Sequence, residues 1–275
     1  MLRMVILASL VALGLTASPA MASEVLQPSG PWKIDYAPNE CRLLRTFGTG
    51  DTAVTLRFAR GAGLDSFDML IAGKGIPKFK QKVKVKLSLT PGGAKQEFDA
   101  YSMAIPGRPE RFVRWFDGSP AILDAVTDSQ QLDIGIDGQY LIAVDFAKGK
   151  AALGGLNHCF NELLEVWGID PAKLKAQALR PIPRTSPGNW VSPGDYPTKA
   201  LIKEQQGKVV VVLTISTEGK VADCRVVVSS QITELDNTSC RVLVARAHYF
   251  PAKDSTGQPI EGFDVQRIRW FLPDE

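Results

Sequence analysis

Residues Gly207–Ser230 read GKVVVVLTISTEGKVADCRVVVSS. Two Val-rich runs flank Glu218-Gly219, and a glycine between β-branched runs is hairpin chemistry, because glycine reaches the backbone angles a tight turn requires. The period changes on either side of this hairpin. Upstream, YPTKALIKEQQ (Tyr196–Gln206) predicts a short helix in which Pro197 suits the first turn, Ala200, Leu201 and Ile202 supply apolar surface, and Gly207 marks the end. Downstream, TELDNTSCRVLVARAHY (Thr233–Tyr249) predicts a second helix capped by Thr233, with Leu235, Cys240 or Ser239, Val242, Leu243 and Ala247 on its apolar side. In DVQRIRWFL (Asp264–Leu272), Val265, Arg267, Arg269 and Phe271 alternate with Gln266, Ile268, Trp270 and Leu272, as in a final strand. The order is αββαβ.

Before this unit comes RPIPRTSPGNWVSPGDYP (Arg180–Pro197), whose five prolines oppose both helix and ladder and favour an extended, semi-rigid connector. Further upstream, period-two alternation dominates: Val54, Leu56 and Phe58, then Phe67, Met69 and Ile71, then Tyr140, Ile142, Val144 and Phe146. Gly-rich breaks between such runs signal antiparallel strands. The period then shifts to three and four at Leu156, Cys159, Phe160, Leu163 and Trp167, the mark of one amphipathic helix. The fold class is α+β: an N-terminal, mostly β domain closed by one helix, followed by the αββαβ domain. The expected organisation is a signal peptide over 1–22, a β-rich domain of unknown role over 23–179, a Pro-rich linker over 180–194 and the C-terminal domain over 195–275.

The signal peptide rests on Arg3, the apolar run Val5–Leu15 and the small-residue site Ala20-Met21-Ala22. A membrane anchor would need about 20 apolar residues, and Thr16, Ser18 and Pro19 interrupt this run early. The mature chain is therefore expected to begin at Ser23 in the periplasm; an uncleaved signal would leave it anchored in the inner membrane. With 45% hydrophobic residues and a formal charge of only +3, the chain is ordinary globular material with no pull toward nucleic acid. Its four cysteines fit an oxidising compartment. They allow three pairings, of which one bridge within each half, Cys41–Cys159 and Cys224–Cys240, is the simplest.

KFKQKVKVKLSL sets Lys78, Lys80, Lys82, Lys84 and Lys86 opposite Phe79, Val83, Val85 and Leu87. Such a row reads either as an edge strand guarded by lysines or as an anion-binding face for envelope polymers or an acidic partner. Catalytic groups are sparse. His158 adjoins Cys159, but neighbouring helix positions point about 100° apart and do not face each other. Asp133, Asp137 and Asp145 could form an acid and base pair, although Asp137-Gly138 reads more simply as a hairpin turn. Neither cofactor nor metal site is read from the sequence, and an enzyme is not expected.

Taken in order, Tyr196-Pro197, Gly207-x-Val209, Glu218-Gly219-Lys220-Val221, Val226–Ser229, Leu235-Asp236, Phe250-Pro251-Ala252 and Gly257 resemble the C-terminal domain of the TonB family. The resemblance implies a two-layer αββαβ fold, a bridge from Cys224 to Cys240 and a role in TonB-dependent transmembrane transport. It also implies that an extended peptide from an outer-membrane receptor, or from another envelope protein, pairs with the last strand. The partner-binding residues carried over are Asp264, Val265, Gln266, Arg267, Ile268, Arg269, Trp270 and Phe271, with the two arginines either meeting acidic side chains or simply solvated. A full transducer of this family has an uncleaved membrane helix and a long Pro-rich rod. Here the apolar segment reads as cleavable and a β-rich domain stands in place of the rod. A second reading makes the protein an envelope hydrolase or inhibitor acting through its N-terminal β domain.

Overall fold

The computed structural model describes residues 24–61, 63, 64, 66–118, 121–126 and 131–272; the expected signal peptide and Ser23, the expected start of the mature chain, lie outside them. The N-terminal half opens with β1 (Val25–Leu26), β2 (Lys33–Ala37), β3 (Glu40–Phe47), β4 (Val54–Gly61) and β5 (Phe67–Gly73). It continues with β6 (Lys82–Thr90), β7 (Lys95–Ala104), β8 (Arg111–Gly118), α1 (Ala121–Asp124), β9 (Gln131–Ile136) and β10 (Tyr140–Asp145). Helices α2 (Gly149–Val166) and α3 (Pro171–Lys175) complete it. The ten strands form one sheet in the order β1-β10-β9-β6-β7-β8-β5-β4-β3-β2.

That sheet curls back on itself. While β1 pairs with β10, the residues just after it reach β3 from the other side, with Ser29 N–H donating to Thr46 O at 2.9 Å and Gly48 N–H to Gln27 O at 2.8 Å. The alternation seen in the sequence explains the filling: Leu56, Phe58, Val85, Trp115 and Ile134 face inward and are all but fully buried, and their neighbours face out. Helix α2 lays Leu156, Cys159, Phe160 and Leu164 against β3 and β4, and the Cys41–Cys159 bridge pins it to β3 with Cα atoms 6.0 Å apart. Asp137 and Gly138, at φ 49° and 67°, sit at the centre of the β9–β10 turn, which Gln139 N–H closes onto Ile136 O at 3.0 Å.

The lysine strand is β6, and it is not an edge. It pairs with β7 on one side and β9 on the other. Alternation reveals that one face of a strand is buried but not how many neighbours it has, so the edge assignment fails and the protection it was meant to explain is not needed there.

The C-terminal half contains β11 (Ile182–Pro183), α4 (Thr198–Ile202), β12 (Gly207–Ile215), β13 (Val221–Val228), α5 (Thr233–Arg246), β14 (Tyr249–Phe250), β15 (Ala252–Lys253), β16 (Pro259–Ile260) and β17 (Gly262–Trp270). The sheet order is β13-β12-β17. On one face Val209, Val211, Leu213, Ile215, Ile268 and Trp270 pack with Leu235, Leu243 and Ala247 of the α5 region. On the other face Val210, Val212, Phe263 and Val265 join the apolar core of the N-terminal half. The Cys224–Cys240 bridge ties β13 to α5. Helix α5 starts at Thr233 with Ile232 in the cap position and no side-chain cap, so the capping role expected of Thr233 is absent. Asp236 instead accepts from Ser230 N–H at 2.9 Å, fixing the turn that leads into the helix.

The Pro-rich stretch is strapped down rather than free. Its β11 pairs with β14, Arg184 N–H donates to His248 O at 2.8 Å, and Trp190 is buried with its Nε1–H on Thr185 Oγ1 at 2.9 Å. Proline removes donors but leaves carbonyls and the interspersed residues able to bond, and these hold the segment.

Candidate functional site

Strand β17 pairs with β12 in unbroken register from Gly207↔Trp270 to Ile215↔Gly262, and among the described residues no strand pairs with its other side. Antiparallel pairing alternates bonded and non-bonded positions. Ser216 N–H turns toward β13, where it meets Lys220 O at 2.8 Å, so the even positions of β12 serve β13 and the odd ones serve β17. The β17 residues bonded to β12 are therefore Asp264, Gln266, Ile268 and Trp270, and the amides of Val265, Arg267 and Arg269 point away. Val265 N–H is already taken by Asp264 Oδ1 at 2.9 Å. Those of Arg267 and Arg269 face the open edge.

Side chains alternate across the sheet on the same rhythm. Ile268 and Trp270 face α5, with Trp270 Nε1–H donating to Ser239 Oγ at 3.0 Å and its ring against Tyr196 at 5.3 Å between centroids. Asp264 accepts from Tyr249 Oη at 2.7 Å and from Gln266 Nε2 at 2.7 Å. Tyr249 is wholly buried, and burial together with the facing carboxylate raises its phenol far above the ordinary value. Arg267 and Arg269 are exposed on the opposite face, where Arg269 stands directly across from Lys208. Among the described residues no carboxylate lies within ion-pair distance of these three cations. Beside the end of the strand lies a mostly apolar groove of about 630 Å³, lined by Val191, Pro193, Tyr196, Leu201, Arg269, Trp270, Phe271 and Leu272 among others. Phe271 is 53% exposed at its rim.

The second edge of this sheet is less free. At the start of β13, Lys220 bridges to His248 and Tyr249 N–H donates to Gly219 O at 2.8 Å, so the segment leading into β14 covers that end. At the other side of the unit, Asp195 receives a two-pronged contact from Arg246, Nη1 to Oδ2 and Nη2 to Oδ1, both 2.7 Å. The guanidinium holds that carboxyl well below the usual carboxylate range.

The remaining expected sites are dispersed. Lys82, Lys84 and Lys86 project from β6, but β7 answers them: Lys82 and Lys84 reach Asp99 at 3.2 and 2.8 Å, and Lys86 reaches Glu97 at 3.4 Å. Lys80 lies 3.4 Å from Asp137, and Lys78 precedes the strand. The row is a mixed-charge surface. Asp133 accepts from Thr90 Oγ1 at 2.6 Å, Asp137 from Lys84 N–H at 2.8 Å and Asp145 from Ala147 N–H at 2.9 Å, so each acid ties down local structure. His158 points to solvent 3.4 Å from Glu162, and Cys159 is locked in its disulfide.

Sequence reasoning placed the arginines and missed Lys208 and the groove. Lys208 becomes their neighbour only through the β12–β17 register, and Tyr196 and Leu201 come from a separate helical segment. The one available signal was the parity of Lys208 within its Val-rich strand, which sets it opposite the buried face of Val209 and Val211.

No curated protein and no solved structure matches this chain. Residues 192–271, which contain α4, the β13-β12-β17 sheet, α5 and most of the groove, match the family model described as Gram-negative bacterial TonB protein C-terminal, and this part of the chain is a domain of that family.

Proposed function

We propose that the protein is a periplasmic, exported TonB-like binding protein that serves TonB-dependent transmembrane transport by taking an extended segment of an outer-membrane receptor, or of another envelope partner, onto β17. The observation that supports this most directly is the unpaired edge of β17 within the family-matched segment, with the Arg267 and Arg269 amides facing outward. Unpaired ladder groups invite a further strand, whose main chain supplies affinity and whose alternate side chains supply selectivity. The role is binding rather than catalysis, and the two-layer αββαβ unit is the part that performs it.

Site-specific photo-crosslinking in envelopes tests this. A photoreactive residue in place of Phe271 should trap an outer-membrane protein, and one in place of Leu141, exposed on β10, should not. Adducts from position 141 alone would move the function to the N-terminal sheet and favour the envelope hydrolase or inhibitor reading.

A further inference from the structure

At the seam between the two halves lies a small polar cavity of about 230 Å³. Glu40, Gly61 and Asp68 wall it from the outer face of the N-terminal sheet, because Cys41 and Met69, beside the two acids along their strands, point inward and are buried. Arg267 closes it from β17. Phe263 and Val265 on the same face of that strand join the core of the N-terminal half, and Arg267 follows two residues further on. Gly61 keeps the space open, since a Cβ there would stand 2.6 Å from Asn39 O and 3.3 Å from Arg267 Nη2. The cavity uses the side chain of Arg267, not its amide, and so does not depend on strand addition at the free edge.

The charges around it are balanced but not joined. Arginines on the N-terminal sheet hold the two acids, Glu40 through Arg42 Nε at 2.5 Å and Asp68 through Arg114 Nη2 at 2.7 Å, each by one of its two oxygens. Arg60, the other cation of the wall, donates to Asn157 Oδ1 at 2.7 Å. Arg267 has no ion-pair partner among the described residues, so its guanidinium and the two carboxylates share the cavity without touching. A lone anion placed there meets Glu40 and Asp68, a lone cation meets Arg60 and Arg267, and an apolar molecule strips water from all four. A molecule that carries both charges meets each group with its opposite. The volume falls below the roughly 300 Å³ at which pockets for drug-sized ligands begin, so that molecule is small.

We infer that the cavity binds a free α-amino acid, with its ammonium group on Glu40 and Asp68 and its carboxylate on Arg267. The two ends are held by different halves of the protein, so the bound amino acid ties β17 to the N-terminal sheet.

The test uses the full chain with both disulfides formed and three probes: alanine, propionate, which lacks the ammonium group, and ethylammonium, which lacks the carboxylate. Calorimetry reads affinity, and the amide signals of Gly61 and Asp68 report location. Alanine should bind at least about tenfold more tightly than either single-charge probe, because each of these loses a charge-assisted contact. Arg267→Met should leave Tm near the parent value, since the guanidinium has no ion pair to lose, and should weaken alanine binding about tenfold. Propionate binding as tightly as alanine would reduce the cavity to an anion site, equal binding of ethylammonium would reduce it to a cation site, and either result overturns the inference. Alanine binding undiminished by Arg267→Met overturns it too, as does the absence of shifts at Gly61 and Asp68 with all three probes, the mark of a seam filled by water alone.

Discussion

Ser239 shows how one hydroxyl carries a contact between α5 and β17. It is fully buried, donates to Leu235 O at 2.8 Å and accepts from Trp270 Nε1–H at 3.0 Å. Ser239→Ala leaves the indole N–H without a partner in an apolar layer and should cost about 1–3 kcal/mol in chemical unfolding. Asp195 gives a pH signature. Its folded carboxyl is depressed by the Arg246 contact, so its contribution is fully present above the unfolded value of about 3.9 and is lost as pH falls toward the folded one. Asp195→Asn should therefore lower Tm at about pH 7 and differ less from the parent at about pH 2, where the unfolded carboxyl is already protonated and most of the contribution from the depressed folded value is gone. Equal gaps at the two pH values would mean that the carboxylate charge is not what holds the strap to α5.

Strand β17 separates two kinds of proline substitution. At Ile268 the amide bonds to β12, so Ile268→Pro should break the ladder and lower Tm. At Arg269 the amide faces the open edge, so Arg269→Pro should leave the sheet intact in circular dichroism and weaken partner capture. Losing the Cys224–Cys240 link by paired serine substitutions should cost about 3 kcal/mol, since it closes a short loop between β13 and α5. The elements themselves were legible in the sequence. Val209 to Leu213 form an unbroken Val-rich run bounded by Gly207 and the Glu218-Gly219 turn, and Leu156, Cys159, Phe160 and Leu163 recur at helical spacing; these patterns depend only on neighbours in the chain. Sheet order was not legible: the alternation of Lys82, Lys84 and Lys86 is identical for an edge and a centre strand. The groove was hidden for the same reason, since Leu201 and Phe271 come to line one groove only after two distant segments pack.

The two halves meet through apolar contact, not only through the strap between them. Val210, Val212, Phe263 and Val265 sit in one cluster with residues of the N-terminal half, and Arg225 Nη1 donates to Trp167 O at 3.1 Å. Calorimetry should accordingly show a single unfolding transition, and Val265→Asp should lower it by burying a charge; two well-separated transitions in the parent would mean that the halves fold independently. The cysteine pairing has a consequence for biosynthesis. The order along the chain is Cys41, Cys159, Cys224, Cys240, and each bridge joins the next two in sequence. A chain that emerges amino end first into an oxidising compartment offers each thiol its native mate before any competitor appears. Simple stepwise oxidation therefore reaches the correct pairing, and shuffling by a disulfide isomerase is not required.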